Sequence, residues 1–157
     1  MKKVRIGKEQ AIQRIRHYYA YQERAQQEVR DKLYELGMTM DEVEEIMSDL
    51  IAENFLNEER FAVQFTGGHF RIKGWGRVKI QHALQQKRVS KYNIKIGLKA
   101  IEEDAYLKTL EQLAAKKWNS LKGERGLSRM AKTYAFLHQR GFEPLLYQPI
   151  VQKLYKP

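Results

Sequence analysis

Apolar residues recur along this chain at the spacing of an α-helix. One such set falls at i, i+3, i+4 and i+7, and so lies on one face of a helix: Val43, Ile46, Met47 and Leu50. The alternation of apolar and polar residues that is typical of strands is scarce, and the 157 residues include only three prolines. The pattern predicts an all-α protein.

Three stretches of the sequence carry the same pattern. They are KLYELGMTMDEVEEIMSDL, ALQQKRVSKYNIKIGLKAI and FLHQRGFEPLLYQPIVQKL, and they align on Gly37, Arg88 and Gly141. Each has a leucine four residues before that position, and apolar or aromatic residues one, six, ten and thirteen residues after it. A pattern that recurs about every 50 residues is typical of tandem helical repeats. We therefore predict an elongated, curved array of three three-helix repeats.

Each repeat is predicted to contain a leading helix, a second helix, a tight corner and a third helix. The repeats are assigned to residues 1–56, 57–103 and 104–157, with leading helices at residues 8–22, 58–72 and 104–120. Thr39 and Ser90 suit the start of a third helix, and Thr39 with Glu42 matches the pattern of a capping box.

Several residues mark places where helical geometry is interrupted. Gly37 and Gly141 suit the left-handed conformation that ends a helix, whereas Arg88 at the equivalent position is less comfortable in it. The second corner is therefore expected to be built differently. Gly67 and Gly68 lie inside a predicted helix, where each costs about 1 kcal/mol relative to alanine, so a kink or a close helix contact is expected there.

The chain is strongly basic, with a net charge of +10 and a pI of about 9.7. Residues 1–56 have nine basic and eleven acidic side chains, whereas residues 57–105 have ten and five, and residues 106–157 have ten and three. Such an excess indicates a polyanionic partner, either nucleic acid or an acidic protein surface, although it also serves solubility. The last two thirds of the chain are expected to meet that partner.

The sequence contains no cysteine, which excludes disulfides, thiolate metal sites and cysteine nucleophiles. No segment approaches the run of about 18 apolar residues that a membrane span requires. The N-terminal residues also lack the apolar core of a signal peptide. We therefore expect a cytoplasmic protein that does not bind membranes.

No pattern of catalytic chemistry is recognised. The glycines at 74 and 76 fit neither a phosphate-binding loop nor a dinucleotide fingerprint, and the four histidines lack a second ligand at a metal-binding spacing. Acidic residues concentrate between 41 and 59, but the apolar residues of that stretch share one helix face, which is typical of a solvated amphipathic helix. We expect no enzyme activity, no cofactor and no metal.

The basic residues supply the candidate binding sites. Lys91, Lys95 and Lys99 lie at i, i+4 and i+8 and form a stripe on one predicted helix, although like charges at this spacing are slightly destabilising. The equivalent positions in the first repeat are Met40, Glu44 and Ser48. The two copies are therefore suited to different partners, unless the difference is drift.

Further basic residues surround the two tryptophans. Arg71, Lys73 and Arg77 flank Trp75, and Arg125 and Arg129 follow the second tryptophan, Trp118. Basic residues with an interleaved aromatic suit phosphate contact combined with base stacking. A tryptophan buried in the core is the more common alternative for Trp118.

Several motifs resemble the RecX family of bacterial recombination regulators. The most specific are NEERFA at 57–62, KGWG at 73–76 and RGF at 140–142, within a similarity that covers about residues 10–155. The sequence departs from the family in two places. Gly67–Gly68 lies inside a leading helix, and Arg88 stands at a position where the family usually has glycine.

The resemblance implies a non-catalytic, cofactor-free array of three-helix repeats that binds the RecA recombinase. It implies a protein that lies in the groove of the RecA filament on single-stranded DNA and restrains ATP hydrolysis, strand exchange and co-protease activity. This would place it in DNA recombination, DNA repair and the SOS response. We expect a monomer whose curved surface spans neighbouring RecA subunits, so that affinity comes from bridging them.

Two other functions stay open. Each pair of second and third helices could form a helix-turn-helix DNA-binding module, in which Gln81, Gln85 and Arg88, at i, i+4 and i+7, would contact base edges. The other is a metal-dependent nuclease, which magnesium-dependent cleavage lost on changing Glu44 or Glu45 would support. This hypothesis is disfavoured, because such sites draw carboxylates from separate elements.

Overall fold

The computed structural model describes residues 5–20 and 22–156, within which short turns join nine α-helices and no strand occurs. In chain order the helices are α1 Lys8–Tyr18, α2 Gln26–Glu35, α3 Met40–Ala52, α4 Glu58–Lys73, α5 Arg77–Gln86, α6 Lys91–Lys99, α7 Glu103–Ser120, α8 Gly126–Gln139 and α9 Pro144–Tyr155. They group in threes as repeats 1, 2 and 3. The predicted all-α tandem array is confirmed.

The leading helices differ from their predicted ranges mainly in the first repeat. α1 ends at Tyr18 and not at residue 22, because the chain turns there to reach the start of α2. Tyr21 lies outside the described residues, as do residues 1–4 and 157 of the predicted repeat ranges. α4 runs one residue past its predicted end, and α7 begins one residue before the predicted start of the third repeat.

The corners between second and third helices share one hydrogen-bond pattern. In each corner, an amide just beyond the second helix donates to the carbonyl of a leucine five residues earlier, at 3.1–3.2 Å: Met38 to Leu33, Val89 to Leu84, and Phe142 to Leu137. The residue before each of these donors has a positive φ. This combination is the Schellman motif, which satisfies carbonyls that the helix end would leave unpaired.

The expectation that the second corner is built differently is wrong. Arg88 has a φ of 59°, in the same left-handed region as Gly37 at 89° and Gly141 at 92°. Its side chain is exposed, and the corner makes the same pair of hydrogen bonds as the other two. The shared hydrogen bonds and the packing of the flanking helices therefore outweigh the cost of a left-handed arginine.

Polar caps start the third helices of repeats 1 and 2. The hydroxyl of Thr39 accepts from the Glu42 amide at 3.3 Å, and the Glu42 carboxylate accepts from the Thr39 amide at 3.0 Å, which completes the predicted capping box. The Ser90 hydroxyl accepts from the Asn93 amide at 3.1 Å. These caps fix where the third helices begin.

The close contact between α4 and α6 is made by Gly97 and not by Gly67 or Gly68. A Cβ on Gly97 would lie 2.8 Å from the carbonyl oxygen of Ala62. A Cβ on Gly68 would have nothing within 4 Å, and one on Gly67 would meet only the Arg71 side chain. A close helix contact at Gly67–Gly68 was therefore a wrong expectation, since the small residue that permits this packing is on the other helix.

Two hydrophobic clusters divide the chain unequally. One is formed by repeat 1 alone and includes Leu33 and Leu50. The other is shared by repeats 2 and 3 and includes Leu84 and Leu137, with Ala25 of repeat 1 at its margin. The most extensive helix packing occurs within each repeat. Repeats 2 and 3 thus share a core, and repeat 1 has a core of its own.

We expect Arg88→Gly to raise the free energy of unfolding by about 0.5–1 kcal/mol. A left-handed conformation costs a non-glycine residue about 1–2 kcal/mol, which glycine avoids. The greater freedom of glycine in the unfolded chain offsets part of this stabilisation. Urea denaturation measures the change. As a control, Gly37→Arg should destabilise the equivalent corner. A lower stability for Arg88→Gly would show that Arg88 is not strained.

Candidate partner-binding surface

The KGWG motif forms the turn between α4 and α5. Gly74 ends α4 in the left-handed conformation, with a φ of 66°. The Trp75 ring packs on the His69 ring at a centroid distance of 4.7 Å, and the ammonium groups of Lys79 and Lys73 lie 4.5 and 5.4 Å from its centre. Trp75 is thus half-buried at this elbow, where neighbouring cations and an aromatic ring surround it.

The same turn meets the RGF motif of repeat 3 backbone to backbone. The Gly76 amide donates to the Arg140 carbonyl at 2.7 Å, and the Val78 amide donates to the Gly141 carbonyl at 2.9 Å. A Cβ on Gly76 would overlap Gly141, and a Cβ on Gly141 would overlap Lys79. Two of the motifs that carry the family resemblance are therefore the two halves of one joint between repeats 2 and 3.

Arg77 belongs to this joint. Its amide donates to the Tyr106 hydroxyl at 2.9 Å, and its guanidinium lies 3.8 Å from the centre of the Tyr106 ring. The guanidinium also donates to Glu143 at 3.0 Å and to Glu103. Burial opposes the charge of Arg77, but the hydrogen bonds to Glu143 and Glu103 offset it, so the pKa of Arg77 is raised. Burial, followed by the hydrogen bond that its hydroxyl donates to Glu143, raises the pKa of Tyr106.

Arg129 is also engaged within the chain. Its Nε donates to the Trp118 carbonyl at 2.9 Å, and its guanidinium lies 4.1 Å from the centre of the Trp118 ring. Trp118 is buried, so its assignment to the core, the more common alternative, is confirmed. Arg125 is exposed at the start of α8.

A groove lies between α5 and α6 of repeat 2 and has a cavity volume of about 760 Å³. Neither Arg125 nor Arg129 lines it. The α6 wall carries the predicted lysines, Lys91, Lys95 and Lys99, which we call the lysine stripe. The α5 wall carries Arg77, Gln81 and Gln85. The apolar lining consists of Ile94, Leu98 and Ile101, and the remaining lining residues are Glu102 and Glu103. We refer to the whole as the α5–α6 groove.

The lysine stripe carries charge that its own chain does not neutralise. All three lysines are exposed, and within the part of the chain that the structure describes none of them forms an ion pair. The ion pairs of repeat 2 are made instead by Arg60, Arg77 and Lys87. Arg71 and Lys73, at the end of α4, are exposed as well. The structure thus brings Arg77 together with the lysine stripe, while Lys73 lies beside Trp75.

The acidic helix of repeat 1, α3, differs from the lysine stripe, because ion pairs within the chain neutralise part of its charge. Three of its carboxylates pair with cations of the same repeat, in the pairs Arg5–Glu42, Lys8–Glu45 and Arg30–Glu44, and Glu53, just beyond the helix, pairs with Arg16. Exposed pairs of this kind contribute only about 0–1 kcal/mol each, but they reduce the charge presented to a partner. They also occupy Glu44 and Glu45, the carboxylates on which a nuclease would depend.

The sequence patterns did not single out all the residues of this surface. Tyr92 is 72% exposed and lies one turn before Lys95 on α6, beside the lysine stripe. Its position directly after Lys91 was a usable signal, because an aromatic among exposed cations is typical of binding surfaces. Ile94 and Ile101 are buried, as their apolar positions in the repeat pattern predict, whereas Leu98, at another apolar position of that pattern, is partly exposed in the groove.

Within residues 5–20 and 22–156, no group of three or more His, Asp or Glu side chains is arranged to hold a metal ion. In the same residues, no helix combines the length and the apolar character needed to cross a membrane. The α5–α6 groove itself offers ammonium and amide groups around an apolar lining. These groups suit the binding of an acidic partner.

Comparison with known proteins identifies related sequences over most of the chain. The family models for the second and third three-helix domains of RecX match residues 57–98 and 103–144. The regulatory protein RecX of Clostridium perfringens strain 13 is 31% identical over 133 residues, which cover 83% of this chain and 62% of the relative. This chain therefore spans about three fifths of that relative. RecX of Prosthecochloris aestuarii is 30% identical over 85% of each chain.

Solved structures show the same fold. The crystal structure of RecX from Lactobacillus salivarius superposes with a TM-score of 0.86 at 22% identity, over 94% of this chain and 96% of that one. Another crystal structure, of a regulatory protein RecX, gives a TM-score of 0.82 at 22% identity, over 91% of this chain and 70% of that one.

We expect Arg77→Gln to lower the free energy of unfolding by about 1–3 kcal/mol, because it leaves the half-buried Glu143 without its cation. Arg71→Gln removes the same charge from an exposed site three residues before the turn and should change stability by less than about 0.5 kcal/mol. Urea denaturation of both variants measures the difference. Equal stabilities would show that Arg77 does not hold the joint together.

Proposed function

The chain belongs to the RecX family of regulatory proteins, and on that premise we propose that it regulates the RecA recombinase. In this proposal a monomer in the cytoplasm binds RecA filaments on single-stranded DNA. It restrains their ATPase, strand-exchange and co-protease activities and acts through binding alone. The effect would bear on recombination, DNA repair and the SOS response.

The observation that carries this proposal is the unpaired lysine stripe at an open groove in the middle repeat. Three exposed ammonium groups on one helix, with Tyr92 beside them, suit contact with DNA phosphates or with an acidic protein surface. Arg71, Lys73 and Trp75, at the end of α4, would extend the contact. Arg125 would add a contact from repeat 3, while Arg77 and Arg129 would act by fixing the shape of the array.

A titration of RecA ATPase and filament binding tests the proposal. Labelled protein is added to RecA on single-stranded DNA, and anisotropy and ATP hydrolysis are followed together. We expect the anisotropy to rise and hydrolysis to fall at or below equimolar protein. The proposal fails if neither quantity changes up to that ratio.

A stand-alone helix-turn-helix DNA-binding protein is the second candidate. It is favoured by Gln81 and Gln85, whose exposed side chains line the α5–α6 groove and could contact base edges. Arg88 falls beyond the end of α5, in the left-handed corner, so it does not extend that pair along a helix face. Sequence-specific protection of duplex DNA from nuclease in the absence of RecA would favour this candidate.

We expect the triple change of Lys91, Lys95 and Lys99 to Glu to weaken filament binding and to flatten its salt dependence. Each phosphate contact to single-stranded DNA contributes about 0.7 to the slope of log affinity against log salt, so the slope should fall by about 2 if all three lysines contact phosphates. Anisotropy titrations at several salt concentrations measure this.

The matched control changes three exposed lysines of repeat 3 to Glu: Lys108, Lys153 and Lys156. It alters the total charge equally and should leave affinity and slope much closer to those of the unmodified protein. Equal losses in the two variants would mean that total charge and not the lysine stripe controls binding.

A further inference from the structure

We infer that the α5–α6 groove of repeat 2 is a docking site for an acidic, amphipathic helical segment of a protein partner. The inference rests on the proposed function only for the importance of this surface. The groove's own geometry and chemistry carry the rest.

Repeat 2 lacks, at the walls of the groove, a contact that repeat 1 makes at the same positions. Counting from the aligned corners, Gln81 and Lys95 correspond to Arg30 and Glu44. Arg30 and Glu44 form an ion pair that bridges α2 and α3. Gln81 and Lys95 line opposite walls of the α5–α6 groove instead.

Repeat 3 joins the equivalent helices with aromatic side chains. Tyr134 and His138 of α8 correspond to Gln81 and Gln85, and Tyr147 of α9 corresponds to Ile94. The rings of Tyr134 and Tyr147 pack at a centroid distance of 5.6 Å, and the Tyr147 hydroxyl lies 3.3 Å from Nδ1 of His138. The second and third helices are thus bridged by an ion pair in repeat 1 and by aromatic packing in repeat 3, whereas Gln81 and Lys95 of repeat 2 face each other across the groove.

The lining of the groove defines the chemistry of its occupant. Leu98 is partly exposed in the groove, above the buried side chains of Ile94 and Ile101, and its apolar surface would be covered by an apolar side chain of the occupant. Successive lysines of the stripe are four residues apart on α6, so they are spaced about 6 Å along its axis. A helix lying along α6 with carboxylates at its own i and i+4 positions would match that spacing. An amphipathic acidic helix satisfies both requirements at once.

Nucleic acid fits the same groove less well. Glu102 and Glu103 also line the groove and are exposed, so they would repel the phosphates of a nucleic acid and the carboxylates of a peptide alike. The apolar lining distinguishes the two ligands, because a phosphate backbone has no apolar groups to cover Leu98, whereas a helical segment can place an apolar side chain there. The apolar lining therefore favours a protein segment.

Peptide binding to the whole protein, without RecA or DNA, tests this inference. The probe is a labelled helical peptide of about 15 residues, with leucines along one face and glutamates flanking them. A scrambled peptide of the same composition and an oligothymidylate of similar length are the comparison ligands. We expect the amphipathic peptide to bind at least about tenfold more tightly than the scrambled one. Only the amphipathic peptide can place its glutamates against the lysine stripe and its leucines against the apolar lining at the same time.

The double change Gln81→Arg and Lys95→Glu installs the ion pair of repeat 1 and should weaken peptide binding about tenfold by closing the groove. It lowers the net charge by one, as does the control Lys108→Gln, which should bind like the unmodified protein. The single change Lys95→Glu provides a second test if the double variant does not fold.

Three results would overturn the inference: equal binding of the scrambled peptide, unchanged peptide binding by both groove variants, or a groove that binds only the oligonucleotide. Because this assay omits RecA, its failure is distinct from failure of the filament titration. A filament that is still bound and inhibited would leave the regulatory proposal standing without the peptide site.

Discussion

The shape of the basic part of this protein depends on the backbone contact between Gly76 and Gly141. Neither position has room for a Cβ, and the two hydrogen bonds that join the turn of repeat 2 to the corner of repeat 3 require that approach. Arg77 stacks on Tyr106 and pairs with Glu143 around the same point. Repeats 2 and 3 consequently share one hydrophobic cluster. α5, one wall of the candidate groove, therefore starts at this joint.

Differences between the repeats arise on a common scaffold. The three corners have the same hydrogen bonds, so in each repeat the second helix ends in the same way before the third helix begins. What differs is the set of side chains between them, an Arg30–Glu44 ion pair in repeat 1, a Tyr134–Tyr147 pair in repeat 3 and a groove in repeat 2. Binding specificity can thus be changed by a few substitutions while the fold is kept.

Helical periodicity and alignment of the three copies predicted the fold closely, because corners and caps are local and depend on a few residues near Leu33, Thr39 and their equivalents. The joint could not be predicted in this way, since Gly76 and Gly141 are distant in sequence. The lysine stripe was visible from spacing alone, but its groove depends on what α5 places opposite it. The role of Arg77 could not be predicted from the sequence either. Its charge suggests a contact with a partner, but that charge is paired with Glu103 and Glu143, which lie far along the chain.

We propose that repeat 2, through α5 and α6, makes the main contact with the RecA filament. Hydrogen–deuterium exchange of the protein alone and bound to RecA on single-stranded DNA tests it most directly, because each amide reports its own local opening. We expect binding to slow exchange in residues 77–99, with much less change in α3, where Glu42, Glu44 and Glu45 are already paired. Slower exchange confined to repeat 1, with residues 77–99 unchanged, would contradict it.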